Sequence, residues 1–258
     1  MPSFALFKES VEKFEGSALL DLSRFNWSLV LAKQMMLQQT AGACEHCMRI
    51  AEHLGFCLGI SVVFITFYEN PMSFKTLLLK DEVVAETIVR CQIQHQSRRG
   101  DHTSLLNSGD QSPTEKFLEE KSFFNEHTFN GTEKISDFIS LIANFSKYTD
   151  CYFQIYFHGA IPGSGSHVVT AWNNSKNNTI IFFDSLYGIA EFSEKNRNKH
   201  FSIFIHCHLT QNIPMINIKR WNATIYKKTN NALLNISENI ATAIPKKDSS
   251  ITGKETSV

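Results

Sequence analysis

The sequence predicts an α+β fold: a helical N-terminal half, including one central helix, packed on an antiparallel β-sheet drawn from the C-terminal half. Three observations lead there. Apolar residues recur at helical spacing in the segments before about residue 58. From about residue 152 the pattern changes to short β-branched and aromatic runs. A polar stretch over residues 95–132 separates the two regimes.

Phe4, Phe7, Val11, Phe14, Ala18 and Leu19 lie among charged residues at helical intervals, which predicts an amphipathic helix over 5–20. WSLVLAKQMMLQ (27–38) predicts a second helix, ended by Thr40-Ala41-Gly42, and a third is expected from about Cys44 to Leu58. SVVFITFY (61–68) is β-branched and aromatic enough for a strand, with the buried start of a following helix as the alternative. Residues 95–132, with Arg98-Arg99-Gly100-Asp101 and Ser112-Pro113, read as a long surface loop or insertion. Ile135, Phe138, Ile139, Leu141, Ile142 and Phe145 form a broad apolar helical face expected to lie on the sheet. Four strands are then expected at 152–158, 167–172, 179–184 and 202–206, the middle pair joined by the polar hairpin loop Asn173–Asn178. The expected organisation is one domain over 1–245 and a solvated polar tail over 246–258.

Composition limits the function classes. The chain has 258 residues with 25 basic and 25 acidic side chains, a formal charge of +0, so no global field draws it to nucleic acid or to an anionic membrane. No apolar run approaches the roughly 18 to 20 residues that span a bilayer, and the first twenty residues lack the basic start and apolar segment of a Sec signal. A protein without a nucleic-acid partner, an integral membrane segment or a cofactor is therefore expected. The six cysteines are too sparse and irregular for a stapled secreted scaffold, which favours a reducing compartment.

The candidate chemistry centres on Cys44. A cysteine opening a helix faces unpaired N–H groups and the positive end of the helix dipole, which favour its thiolate. Gln38, six residues upstream, is placed to return its carboxamide beside Cys44 and, with the Cys44 N–H, to hold an oxyanion, while Gly42 permits a close passage of the chain. His167 opens one strand of the expected hairpin and Asp184 closes the other, so the carboxylate can orient one imidazole nitrogen and leave the second for the thiol.

Gln38, Cys44, His167 and Asp184 follow in the order of the papain-like cysteine peptidases, which this sequence resembles. The run HVVTAW, then IIFFD-Ser185-Leu186-Tyr187-Gly188, is similar to the YopT and AvrPphB type of bacterial effector peptidase. The resemblance covers residues 38–58 and about 133–192. It implies a papain-like fold with a Cys44-His167-Asp184 catalytic triad and a Gln38 oxyanion hole, acting as a cysteine protease on a host protein after delivery into the host cytoplasm by a non-Sec route. The same thioester chemistry serves a glutamine deamidase, a transglutaminase or a deubiquitinase-type isopeptidase.

Competing readings are weaker. Cys44-Glu45-His46-Cys47 is a C-x-x-C, but QMMLQQTAGA before it lacks the alternation of the buried strand that a dithiol oxidoreductase needs. A zinc site built from Cys44, Cys47 and the His206-Cys207-His208 cluster is disfavoured because, on the expected strand, His206 and His208 share a face while Cys207 points away.

Overall fold

In the computed structural model the described residues are 3–36, 56–99, 113–132, 134, 137, 140, 141, 145, 147–159, 166–193, 195–209 and 218–229. The described residues up to Lys228 belong to one compact unit. The expected tail at 246–258 lies outside the described residues.

Among the described residues seven strands form one sheet in the order β1-β6-β5-β4-β3-β7-β2, antiparallel throughout. They are β1 (Ser17–Asp21), β2 (Phe123–Thr132), β3 (Cys151–Gly159), β4 (Ser166–Asn174), β5 (Thr179–Asp184), β6 (Gly188–Phe192) and β7 (Ile218–Lys228). The expected hairpin is present, with Asn174 opposite Thr179 and Val169 opposite Asp184. Alternation divides each strand between two cores. One face carries Phe153, Phe157, Val169, Ala171, Ile180 and Phe182, packed with Phe7 and Val11 of α1 (Phe4–Lys13). The other carries Tyr152, Ile181 and Phe183 against residues of the helices α2 (Trp27–Met36), α3 (Cys57–Phe67), α4 (Pro71–Lys80), α5 (Glu82–Arg99) and α6 (Pro113–Glu120).

Helix α3 corrects the strand expected over 61–68. Its sequence, CLGISVVFITF, has the β-branched content of a strand, yet all residues from Leu58 to Ile65 are buried. A helix apolar on every side is one enclosed by other elements, and here packing overrides local preference. Phe64 stacks on Phe183 of β5 with centroids 4.6 Å apart and planes 6° apart. On the opposite side Gly59 lies against the backbone of Ile88 in α5. A buried polar chain ties the same helix to the sheet: the Gln154 amide donates to Ser61 Oγ (2.9 Å), which shares a hydrogen bond with Thr170 Oγ1.

Three further expectations are revised. The strand expected at 202–206 is helix α7 (Arg197–Cys207), whose buried Phe201, Phe204 and Ile205 follow helical spacing. The loop expected over 95–132 contains the end of α5, all of α6 and the edge strand β2. The first predicted helix ends at Lys13, because Glu15 adopts a positive φ of 58° and Ala18 and Leu19 enter β1. Of the helical face expected over 133–147, Leu141 and Phe145 are buried and belong to the core shared with α1.

Candidate active site

Asp184 ends β5, and Val169 lies opposite it in the adjoining strand, so His167, two residues earlier in β4, is its diagonal neighbour on the same face. The pair expected from the hairpin meets: His167 Nε2 lies 2.9 Å from Asp184 Oδ1. Both are sealed from solvent, with side-chain exposures of 3% and 0%. The carboxylate has two more partners. The Leu186 N–H donates to Oδ1 (2.8 Å), and His208 Nε2 lies 2.9 Å from Oδ2. The chain can turn this tightly after Asp184 because Gly188, opposite it in register, takes φ 149° and presses on the Leu20 carbonyl.

The charges follow from these contacts. Burial alone would raise the Asp184 pKa, but His167 and His208 outweigh it and hold the carboxyl well below the usual range. Burial likewise opposes an imidazolium at His167, and the Asp184 charge and hydrogen bond outweigh that opposition, pushing its pKa up to about 10. The Cys57 side chain also hydrogen-bonds the His167 ring. With Nε2 committed to Asp184, Nδ1 is the nitrogen left for sulfur.

Cys57 is the first residue of α3, a half-exposed thiol packed beside Leu58, Tyr156 and Val168. It thus has the helix-opening setting that the sequence reading assigned to Cys44, thirteen residues earlier. Gln92 of α5 accepts the Gly59 N–H through its Oε1 (3.2 Å), which holds the first turn of α3 from the side. Two other described thiols are less suited to reaction: burial pushes Cys91 up to about 11 and Cys151 up to about 12, and both are buried, whereas Cys207, at the end of α7, is half-buried like Cys57. Gln38, Cys44 and Cys47 lie outside the described residues.

Two contributors escaped the sequence reading. Cys57 has a signal in Gly55-Phe56-Cys57-Leu58-Gly59 followed by a largely apolar run broken only by Ser61 and Thr66 up to Phe67, which fits an enclosed helix entered through a cysteine. His208 follows α7 and becomes visible only when 197–207 is read as helix.

Two physical consequences can be measured. The Trp27 indole N–H donates to the carbonyl of Ser185, next to Asp184, in a buried 2.9 Å bond. Trp27→Phe strands that carbonyl and is expected to destabilise the protein by about 1–2 kcal/mol in urea unfolding. The second consequence concerns pH. A depressed Asp184 contributes stability that is present above an unfolded pKa of about 3.9 and is lost as pH falls below it. A raised His167 contributes stability that is complete below about 6.5 and is lost as pH climbs toward its folded value. The urea midpoint should therefore be highest between about pH 4 and 6.5 and fall at alkaline pH, with the alkaline decline flattened in Asp184→Asn. A midpoint that rises from neutral to alkaline pH would contradict this charge assignment.

The sheet, the enclosed α3 and the site at the end of β5 define an α+β fold of the papain-like type. No protein-family model matches the chain, and no curated protein matches it significantly. Among solved structures, the Pseudomonas avirulence protein AvrPphB is similar, with a TM-score of 0.50, 10% sequence identity, and coverage of 67% of this chain and 92% of that one. At such identity the likeness is one of fold. Among the described residues no helix is long and apolar enough to cross a membrane.

Proposed function

We propose that the protein is a cysteine protease in which Cys57 is the nucleophile, His167 the acid and base, and Asp184 the group that orients and charges the imidazole. The supporting observation is the hydrogen-bonded series from the Cys57 side chain through the His167 ring to Asp184. Cys57 is preferred to Cys44 because of that series and because it opens the helix that packs on the sheet. The oxyanion role of Gln38 was tied to its six-residue spacing from Cys44 and does not carry over to Cys57.

In this mechanism His167 Nδ1 takes the Cys57 proton, and sulfur attacks the carbonyl carbon of a peptide bond. The Cys57 backbone N–H, in the first turn of α3, is the donor assigned to the developing oxyanion. Collapse of the tetrahedral intermediate breaks the C–N bond, and the imidazolium passes its proton to the leaving amine. Water then adds to the thioester, giving a proton to His167, and the acid departs as the proton returns to sulfur. The likeness to an avirulence protein supports a host protein as substrate and a bacterial effector as the class.

The test uses the full chain and a peptidyl vinyl sulfone, with the adduct mapped by mass spectrometry. Cys57 should carry the adduct in the wild type and in Cys44→Ser, and labelling should disappear in Cys57→Ser and drop sharply in His167→Ala. Labelling lost in Cys44→Ser but kept in Cys57→Ser would transfer the nucleophile to Cys44 and overturn the assignment. New protein N-termini in a host lysate, absent with Cys57→Ala, separate proteolysis from glutamine deamidation.

A further inference from the structure

We infer that His208 is a positioning residue for the reaction: its Nε2–H fixes Oδ2 of Asp184 and thereby holds the other oxygen in place for His167. The inference rests on the proposed role of the Cys57-His167-Asp184 series.

The Asp184 carboxylate has no exposure, so water cannot satisfy its second oxygen. A buried carboxylate lacking donors takes up a proton, whereas one that accepts several N–H groups stays ionised. Here three donors converge: His167 Nε2 and the Leu186 N–H on Oδ1, and His208 Nε2 on Oδ2. An ionised carboxylate only accepts, so both imidazoles must carry a proton on Nε2. For His167 this tautomer leaves Nδ1 facing the thiol, which is the arrangement a base requires. With both oxygens pinned, the carboxylate plane cannot turn away from His167.

His208 is itself rigidly set. Its ring stacks on Phe204 of α7 (5.4 Å, 18°) and meets Phe7 of α1, Phe182 of β5 and Tyr187 edge-on at 5.5, 5.4 and 4.9 Å. Aromatic residues from separate elements thus hold one imidazole that is fully buried. A residue needed only to fill that apolar space would carry no donor. Besides His167, the ionisable group facing Asp184 across this packing is Tyr187, which burial pushes up to about 12 and which is neutral over the assay range. Cys57 acts on the carboxylate only through His167.

The test is the pH dependence of Cys57 alkylation by iodoacetamide in the full chain, mapped by mass spectrometry, for wild type, His208→Leu and His208→Gln. Leucine keeps the bulk and removes the donor, so Asp184 should protonate at higher pH. The acid limb of the rate profile should move up by about one unit, a roughly tenfold slower reaction at its foot. The glutamine amide can donate to Oδ2 and should return the limb toward that of the wild type. A purely structural loss would lower the reactive fraction and leave the limb in place. Folded His208→Leu with the wild-type limb overturns the inference. Should His208→Leu fail to fold, nitrogen NMR of the wild type decides: a slowly exchanging proton on His208 Nε2 supports it, and a bare Nε2 overturns it. If Cys57 alkylation in the wild type is instead indifferent to His167→Ala, the proposed function fails, while the NMR result still reports on His208 and Asp184.

Discussion

Asp184→Asn is expected to slow acylation of Cys57 by roughly 10³-fold, toward the 10⁴-fold loss seen when a triad carboxylate becomes an amide. Asparagine is isosteric but presents one acceptor and one donor where the site supplies donors on both sides. If its NH₂ faces His208, that histidine must change tautomer inside an aromatic cage, and His167 loses its counter-charge. If the NH₂ faces His167, the imidazole proton moves to Nδ1, toward the thiol, and no base remains. Either arrangement leaves a fold whose volume is unchanged, so the loss should fall mainly on rate. The second-order rate of inactivation by a peptidyl vinyl sulfone, compared between wild type and variant at equal folded fraction, measures it. A variant that reacts within threefold of wild type would remove Asp184 from the mechanism.

Gly59→Ala is expected to destabilise the protein by more than about 4 kcal/mol, in the range reserved for backbone collisions and large core disruptions. A methyl group at position 59 would sit 2.2 Å from the Ile88 carbonyl oxygen, 2.8 Å from its carbon and 2.9 Å from its Cα. These are main-chain atoms of α5, so no side chain can swing aside, and the two helices must part. Parting them also breaks the bond from the Gly59 N–H to Gln92. Because Cys57 is two residues away, the surviving folded molecules should present the thiol to His167 less well. Urea unfolding together with active-site titration separates the two losses. Stability within 1 kcal/mol of wild type would show that α3 and α5 are not in this close contact.

How much of this was legible in the sequence depended on where local pattern and tertiary environment agreed. The β3, β4 and β5 strands were readable because YFQIYFH, HVVTAW and TIIFFD combine strand-forming residues with a polar hairpin between the last two. The meeting of His167 and Asp184 followed from that hairpin and from the two-residue period of a strand. Helix α3 was not readable by the same logic. Val62, Val63, Ile65 and Phe67 favour a strand locally, and only enclosure between the sheet and α5 makes a helix of them.

The same local pattern kept Cys57 from view, because a thiol is activated where a helix begins and a strand over 61–68 gives no helix opening at Cys57; Cys44 and the helix expected from it lie outside the described residues. Strands β2 and β7 were missed for another reason. NEHTFNGT and IKRWNATIYKK mix polar and apolar residues, and their pairing partners, β7 for β2 and both β3 and β2 for β7, are distant in sequence. His208 was hidden by a change of period: read as a strand, 202–206 gave no reason for that imidazole to reach Asp184, whereas the end of α7 brings it there.

The most direct test of the assignment is a crystal structure of the full chain treated with a peptide aldehyde, which captures a reactive thiol as a hemithioacetal. The account predicts a covalent bond to Cys57 Sγ, with His167 Nδ1 within hydrogen-bonding distance of the adduct and Asp184 still bridging both histidines. An adduct on Cys44, or one on Cys57 with His167 turned away from it, would contradict the account.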